Sequence, residues 1–425
     1  MSTPTPLSER IAAAIPRGVS VPIPILAQRA SGAEIWDADG RRYIDFGGGI
    51  AVVNVGHRHP HVIAAVQAQI DAFTHTCFGV TPYESYIRLA ERMNQLAPIA
   101  APRKTIFLTT GAEAVENAVK IARHATGRSA IISFTGGFHG RTLMALALTG
   151  KVNPYKAGFG PFPADTFHVP FPDAYRGGST EKSLAAIEAL FKSSVEPSRV
   201  AAIIIEPVQG EGGFNVAPFE FLRELRALCD RHGIVFIADE IQTGFGRTGR
   251  MFAVEHAGVE PDLITIAKSL AGGFPLSGVI GRAAIMDSVA PGGLGGTFAG
   301  SPVSCAAALA VLDVFRDEHV LVRAEKQGAL VRARLDAMRE QFPIIGDVRG
   351  LGAMLAIELV RDRASKEPAP ELASRLALRA SERGLILLTA GIYGNVIRIL
   401  APLTASPELM DEGMTILERS LGDLR

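Results

Sequence analysis

The feature that most restricts the fold is an alternation of short apolar runs with helical stretches from about residue 104 onward. Strands joined by helices can lie parallel, and the helices then cover both faces of the sheet. One connecting stretch, PFEFLRELRALCDRHG, has Pro218 in position for a first helical turn and Gly233 as a stop signal. The alternation predicts an α/β fold with a mostly parallel sheet formed by the runs TIFLT, AIISF, AAIIIEP, IVFIADE, DLITIAKS and SGVIG.

The two ends of the chain indicate a second, smaller domain. From Ala306 a long helical pattern leads to DVRGLGAMLAIEL, to the strand candidates LILLT and VIRIL, and to a final helix from about Ser406. Near the N-terminus, EIWDADGRRYIDF predicts two short strands around the turn signal Asp39-Gly40. We predict an N-terminal segment (1–55) packing with the small domain, a large domain (56–315) and a small α+β domain (316–425).

Composition and charge exclude several classes of protein. Lysine plus arginine and aspartate plus glutamate number 43 each, so no global field favours nucleic acid or an anionic membrane. Cys77, Cys229 and Cys305 lie far apart, which argues against a disulfide framework and a zinc site, and we expect no metal. The N-terminal stretch lacks the apolar run of a secretory signal, and the apolar segment from Gly384 reads as two strands and a turn. We therefore expect a cytoplasmic protein without a membrane span.

A glycine pattern raises the possibility of a dinucleotide site. Gly244, Gly246 and Gly249 have the G-x-G-x-x-G spacing, a weak signal in a chain with 44 glycines. In a dinucleotide fold the first glycine directly follows a strand, whereas here Asp239 to Thr243 intervene and two carboxylates would oppose a pyrophosphate. We interpret the spacing as a coincidence.

Polar residues close three successive apolar strands. AAIII ends at Glu206, VFIA at Asp239 and LITIA at Lys268. Ligands of open α/β sheets bind beyond the carboxyl ends of strands, so these residues are candidates for a site. A lysine with a pKa lowered by desolvation suits imine chemistry with an aldehyde, and with pyridoxal phosphate a nearby aspartate would keep the pyridine nitrogen protonated. The alternative is a buried Lys-Asp salt bridge.

A phosphate-binding helix start is a further candidate. Thr109, Thr110 and Gly111 lead into a predicted helix from about Ala112, whose free backbone N–H groups can bind an anion. An ordinary capped helix is the alternative.

The ordered set of motifs TTGAEA, GGFHGRT, EPVQGEGG, ADEIQTGFGRTG, TIAKSLAGGFPLSG and GTFAGSP resembles the class III, or ω-amino acid, aminotransferases of the fold type I pyridoxal-phosphate enzymes. The resemblance implies a mostly parallel seven-stranded sheet in the large domain, a smaller α+β domain and pyridoxal 5'-phosphate as cofactor. Ile50, Arg141, Glu211 and Arg398 are together most similar to the bacterial 4-aminobutyrate aminotransferases.

The resemblance also implies roles for individual residues. For the cofactor these are Lys268 as the Schiff-base and catalytic lysine, Asp239 at the pyridine nitrogen, Gln242 near the phenolic oxygen, Phe138 stacked on the ring, Gly111 and Ala112 at the phosphate, and Thr297 at the phosphate of the neighbouring subunit. For the substrate they are Ile50, Arg141, Glu206, Glu211 and Arg398. A homodimer with shared active sites follows from this assignment, with a pair of dimers as the alternative. His139 is expected to be structural.

The activity implied is a ping-pong transfer of the amino group of 4-aminobutyrate, which leaves as succinate semialdehyde, to 2-oxoglutarate, which leaves as glutamate. The same class includes 5-aminovalerate, ornithine and acetylornithine aminotransferases, and these remain alternatives. A non-catalytic or NAD-binding protein is the alternative from another class. Glu211 and Arg398 are either a switch between the two substrates or a fixed ion pair.

Overall fold

The computed structural model describes residues 7–23 and 25–424. Residues 1–6 and 24 of the predicted N-terminal segment and residue 425 of the predicted small domain lie outside that description. The described helices are α1 Leu7–Ala14, α2 Gly48–Ala51, α3 Pro60–Ala72, α4 Glu84–Leu96, α5 Gly111–Thr126, α6 Leu143–Leu148, α7 Thr180–Ser193, α8 Phe219–His232, α9 Ala283–Met286, α10 Pro302–Asp317, α11 Val320–Gln341, α12 Pro370–Glu382 and α13 Pro407–Gly422. The described strands are β1 Ala27–Ser31, β2 Glu34–Asp37, β3 Arg42–Asp45, β4 Arg103–Leu108, β5 Ala130–Phe134, β6 Thr166–Val169, β7 Val200–Ile205, β8 Val235–Asp239, β9 Leu263–Ile266, β10 Ser277–Arg282, β11 Ile345–Leu351, β12 Met354–Leu359, β13 Leu385–Ile386, β14 Leu388–Ala390 and β15 Val396–Ile399.

A seven-stranded sheet with the order β4-β10-β9-β8-β7-β5-β6 forms the centre of the molecule. Strands β6, β5, β7, β8 and β9 run parallel, which confirms the expected mostly parallel sheet. Strand β10 is antiparallel to both of its neighbours. Only residues 267–276 connect it to β9, and a parallel return needs a crossover of about a dozen residues or more.

All six predicted runs are strands of this sheet, and the seventh strand, β6, was not predicted. Its sequence TFHV is four residues long, and three of the four are only half-buried at the edge of the sheet. The central strands β5 and β7 are buried throughout, as parallel strands covered on both faces should be. An edge strand has no such apolar signature, so its sequence resembles that of a loop.

Helix α8 illustrates how the covering helices form. Phe221, Leu225 and Leu228 recur at helical spacing and are buried against the sheet. The helix ends at Gly233, whose φ of 60° is a left-handed conformation that glycine adopts without strain. Pro218 precedes the helix as its N-cap residue, one position earlier than a first-turn proline.

The smaller sheets lie at the two ends of the chain. Strands β11, β12, β15 and β14 form an antiparallel sheet, and α11, α12 and α13 contribute to the same apolar core. Strands β2 and β3 form the predicted pair around Asp39-Gly40, and β3 pairs in parallel with β13. This pairing supports the packing of the N-terminal segment on the small domain, while the domain boundaries remain predictions.

The apolar segment from Gly384 forms three short strands where two strands and a turn were predicted. The run LILLT is divided between β13 and β14, because β13 pairs with β3 and β14 pairs with β15 in a different sheet. Within the part of the chain that the structure describes, no helix has the length and apolar character needed to cross a bilayer.

Candidate active site

The structure brings the three strand-end residues together. Strands β7, β8 and β9 are neighbours in the central sheet, and their carboxyl ends open onto one cavity of about 460 Å³. Glu206, Asp239 and Lys268 all line this cavity. Parallel neighbours end at the same edge of a sheet, which is why residues 62 positions apart in sequence converge here.

Other residues that the sequence singled out also line the cavity, while three do not. The lining includes Gly111, Ala112, Phe138, Arg141, Glu211 and Gln242. Arg398 is buried behind the cavity and reaches it through Glu211. Ile50 is 44% exposed and has a φ of 66°, and Thr297 is exposed outside the cavity.

The start of α5 is both a capped helix and a source of free amide groups. Glu113 folds back on the start of its own helix and accepts hydrogen bonds from the N–H groups of Thr109 (2.8 Å) and Thr110 (2.9 Å). The N–H groups of Gly111 and Ala112 form no hydrogen bond with any described residue. Two amide donors at the positive end of the helix therefore remain for an anion.

Asp239 is held by several donors. Its Oδ1 accepts from Thr265 Oγ1 (2.9 Å) and from the N–H of Ile241 (3.2 Å), and its Oδ2 lies 2.7 Å from His139 Nδ1. A carboxylate only accepts, so the hydrogen in this last contact is on the imidazole. Burial disfavours the charged imidazolium, but the hydrogen bond to Asp239 and the charges of Asp239 and Glu206 outweigh it and raise the pKa of His139.

His139 is the functional candidate that sequence reasoning missed. It lines the cavity and is only 2% exposed, yet it was expected to be structural. Its partner Asp239 is 100 positions away in sequence, so no local pattern links them. The available signal was its position directly after Phe138 in the motif GGFHGRT.

Glu206 and Lys268 have shifted pKa values for the same physical reason. Burial raises the pKa of Glu206 to about 7, although nearby His139 and the N–H groups of Gly210 (2.9 Å) and Phe138 (2.8 Å) favour its charged form. Burial also lowers the pKa of Lys268, because a low dielectric disfavours the ammonium, and the neighbouring Glu211 only partly opposes this. A lysine with a lowered pKa presents more of its nucleophilic, unprotonated amine at neutral pH.

The backbone of Lys268 is also unusual. Its φ of 44° places it in the left-handed region, which residues other than glycine rarely adopt. Such strain persists where the surrounding structure imposes it, and it concentrates at functional sites. The lysine follows β9 and begins a single 3-10 turn, Lys268–Ala271, so the sheet fixes the point from which its side chain enters the cavity.

Glu211 and Arg398 form an ion pair beside the cavity. Arg398 Nη1 donates to Glu211 Oε1 at 2.5 Å, and the two side chains are 4% and 18% exposed. Burial alone would raise the pKa of Glu211, but Arg398 and Lys268 outweigh it and hold that pKa below its usual value. The Glu211 carboxylate is therefore ionised and paired, as both a switch and a fixed pair would require.

Arg141 is a cation without a carboxylate partner among the described residues. Its guanidinium carbon lies 4.7 Å from the ring centroid of Tyr155 and 5.9 Å from that of Phe138. Aromatic faces hold a cation without neutralising it. Arg141 thus lines the cavity and can bind an anion through its free N–H groups.

The residues present fit pyridoxal phosphate. The amides of Gly111 and Ala112 suit its phosphate, and the Phe138 ring suits its aromatic plane. Gln242 Oε1 is buried without a hydrogen-bond partner among the described residues, so it needs a donor that the protein does not supply. Within the same residues, no cluster of three or more His, Cys, Asp or Glu could hold a metal ion.

The glycine loop does not form a phosphate cradle. Gly246 has a φ of 78°, and a Cβ there would lie 2.7 Å from the Phe315 ring of α10. Arg247 is fully buried, donates to the carbonyl of Ala401 at 2.8 Å and also hydrogen-bonds Asn54. Gly246 therefore permits close packing of the loop against α10, and the buried Arg247 next to it is bonded to protein atoms.

Comparison with known proteins places this chain among transaminases in sequence and structure. Residues 15–421 match the family described as aminotransferase class-III. The chain is 54% identical over 418 residues to 5-aminovalerate aminotransferase DavT of Pseudomonas putida, covering 98% of each chain. It is 52% identical over 425 residues to 4-aminobutyrate aminotransferase GabT of Escherichia coli, covering 100% of each. An amine transaminase from an uncultivated Pseudomonas species, solved in its PLP-bound form, is similar in structure with a TM-score of 0.89, 32% identity and 97% of each chain covered.

Proposed function

Because the chain belongs to the class III aminotransferases, which use pyridoxal phosphate, we propose that it transfers the terminal amino group of 4-aminobutyrate to 2-oxoglutarate. The products are succinate semialdehyde and glutamate. Relatives named for 4-aminobutyrate and for 5-aminovalerate are 52% and 54% identical to this chain, so overall identity does not choose between these donors. 4-Aminobutyrate is proposed because Ile50, Arg141, Glu211 and Arg398 together are most similar to the bacterial 4-aminobutyrate aminotransferases.

The bound cofactor would withdraw electrons from the carbon that carries the amino group, which makes a proton on that carbon removable. Gly111 and Ala112 would hold its phosphate, Phe138 its ring, Asp239 its ring nitrogen and Lys268 its aldehyde. Thr297 is proposed to act on the neighbouring subunit, which accords with its exposed position outside this chain's own cavity.

Lys268 is proposed to move the proton. Burial lowers the pKa of Lys268 and so raises the unprotonated fraction of its amine above that of an exposed lysine, and the unprotonated Nζ atom can accept a proton and return it at an adjacent position. Strand β9 delivers the lysine to the cavity, and the buried surroundings keep water from competing for the proton.

The observation that carries the proposal is the different state of the two arginines. Arg141 has no carboxylate partner among the described residues, whereas Arg398 is neutralised by Glu211 at 2.5 Å. A site with one free cation suits a donor with one carboxylate far from its amine and nothing charged on the reacting carbon. 4-Aminobutyrate and 5-aminovalerate both have this form, so the arginines support an ω-amino acid with a single carboxylate, and the choice between these two donors is left to the experiment below. Glu206 and Ile50 are proposed to contribute to the substrate side of the site.

A panel of amine donors tests the proposal. We expect 4-aminobutyrate to have the highest kcat/KM with 2-oxoglutarate, ahead of 5-aminovalerate, ornithine and acetylornithine. One methylene in a pocket is worth only about 1 to 3 kcal/mol, so the expected preference over 5-aminovalerate is about tenfold. A higher kcat/KM for 5-aminovalerate would assign the chain to that donor, and no activity with any ω-amino acid would reject the proposal.

Arg141→Lys tests the shared carboxylate site. A planar guanidinium grips a carboxylate through two hydrogen bonds, which an ammonium cannot do. We expect KM to rise about tenfold for both 4-aminobutyrate and 2-oxoglutarate, with a smaller change in kcat. If KM rises for only one substrate, the two substrates do not share Arg141.

Glu211→Ser tests whether the ion pair switches. Without Glu211, a bound 4-aminobutyrate leaves Arg398 as a buried unpaired charge, which is unfavourable. We expect kcat/KM for 4-aminobutyrate to fall about tenfold or more, a loss of at least about 1.4 kcal/mol, while the glutamate half-reaction is spared or improved. Stopped-flow spectra of each half-reaction measure the two effects separately, and an equal loss in both would identify a fixed structural pair.

We also propose that the enzyme works in the cytoplasm as a homodimer with shared active sites, with a pair of dimers as the alternative. The exposed Thr297 and the 64% exposed Phe298 beside it support a partner surface on this loop. Light scattering should give twice the mass of the 45.0 kDa chain, or four times that mass for the pair of dimers. A monomer that is active at the same concentration would contradict the shared site.

A further inference from the structure

Tyr155 contacts both of the proposed carboxylate-binding regions of the site. Its hydroxyl donates to Glu211 Oε2 at 3.3 Å, while Arg398 donates to the other oxygen of the same carboxylate. Its ring lies 4.7 Å below the guanidinium carbon of Arg141 and packs edge-on against Phe138, with 5.0 Å between the ring centroids.

The backbone around Glu211 is anchored, so its side chain is the part that can move. The carbonyl of Glu211 accepts a hydrogen bond from the N–H of Gly391 at 3.0 Å, and the carbonyl of Gly391 accepts one from Lys151 Nζ at 2.7 Å. The preceding residue, Gly210, donates to Glu206 at 2.9 Å. If Glu211 changes its partner, its backbone therefore stays in place and only its side chain rotates.

Displacement from Arg398 would leave the Glu211 carboxylate short of donors. A substrate with a second carboxylate competes for Arg398, and a carboxylate released inside a protein is costly unless another donor receives it. The Tyr155 hydroxyl already touches the second oxygen. Burial raises the pKa of Tyr155 to about 12, so this hydroxyl keeps its proton at neutral pH and can donate.

We propose that Tyr155 is a positioning residue that holds the Glu211 carboxylate when a substrate's second carboxylate takes Arg398. It thereby favours the binding of dicarboxylic over monocarboxylic ligands, an inference that rests on the proposed function. While Glu211 is paired with Arg398, that arginine is its main partner, so loss of the Tyr155 hydroxyl should have only a small effect on ligand binding. In the displaced arrangement the hydroxyl becomes the main donor to Glu211.

The test uses two ligands that cannot react. Glutarate has the two carboxylates of 2-oxoglutarate, and butyrate has one, and neither carries an amine or a ketone. Tyr155→Phe removes the hydroxyl and keeps the ring that supports Arg141. With the cofactor-loaded enzyme, calorimetry should show the Kd of glutarate rising about tenfold, the low end of the effect of one hydrogen bond to a charged group. The Kd of butyrate should change by less than about twofold, since Glu211 stays on Arg398.

Two further variants distinguish failure of the proposed two-carboxylate site from failure of the inference about Tyr155. Tyr175→Phe is the matched control, because Tyr175 does not line the cavity and its hydroxyl has no hydrogen-bond partner among the described residues. It should leave both Kd values unchanged. Arg398→Gln should raise the Kd of glutarate but not that of butyrate. If it does not, the proposed two-carboxylate site is wrong.

If Arg398→Gln behaves as expected while Tyr155→Phe leaves glutarate unchanged or weakens both ligands equally, only the inference about Tyr155 is overturned. A kinetic measurement gives the same distinction. In Tyr155→Phe, KM for 2-oxoglutarate should rise with little change in kcat, whereas a general structural defect would lower the rate constants of both half-reactions.

Discussion

Replacing Lys268 by alanine should abolish transamination and the covalent link between protein and cofactor that borohydride can trap. Strand β9 presents this amine to the cavity, and burial lowers its pKa, so no other described lysine combines position and reactivity in the same way. We expect turnover to fall by at least about 10⁴-fold, the upper end of what a positioned acid-base group supplies. Steady-state rates and the mass of the borohydride-treated protein measure the two losses.

The matched control for this variant is Lys182→Ala, which removes a lysine whose Nζ bonds the carbonyl of Gly177 in a different cavity. It should keep both activity and the trappable link. Added small primary amines should restore part of the proton transfer in Lys268→Ala but not in an unfolded protein. Normal transamination by Lys268→Ala would refute the assignment.

Replacing Asp239 by alanine should weaken cofactor binding and slow proton removal from the substrate. The carboxylate is fixed by Thr265 and His139 in a cavity wall that is nearly inaccessible to water, so its charge acts at short range. We expect the first half-reaction to slow by about 10²-fold or more, which is comparable with the effect of removing one preorganised hydrogen-bond donor from a catalytic site. Absorbance titration gives the Kd of the cofactor, and stopped-flow spectra give the rate.

Two variants help to interpret that result. Asp239→Asn keeps most of the shape of the side chain but removes its charge. It should therefore slow proton removal while leaving the free energy of unfolding nearly unchanged. Asp262→Asn removes another buried carboxylate from the opposite end of the same sheet, where it pairs with Arg226 at 2.7 Å. It should lower stability without changing the spectrum of the bound cofactor. An unchanged rate in Asp239→Ala would show that Asp239 has only a structural role.

Local pattern was sufficient for the central sheet because burial on both faces leaves a continuous apolar run that no loop shares. The same runs located Glu206, Asp239 and Lys268, since a polar residue that closes a buried strand lies at the edge where ligands bind. Pattern was insufficient for the half-buried edge strand β6 and for the direction of β10, which depends on the length of its connection.

The six strands with continuous apolar runs, the helix start at Gly111 and the chemical types at the strand ends are therefore properties of the sequence itself, because each follows from residues within about one turn or one strand of each other. The pairing of His139 with Asp239, of Glu211 with Arg398, and of Tyr155 with both Glu211 and Arg141 is a property of the tertiary structure alone. Glu211 lies in a turn after β7 of the central sheet, and Arg398 lies 187 positions away on β15 of a smaller sheet. No periodicity extends over such a separation, and only the packing of the small domain against the large sheet brings the two charges within 2.5 Å.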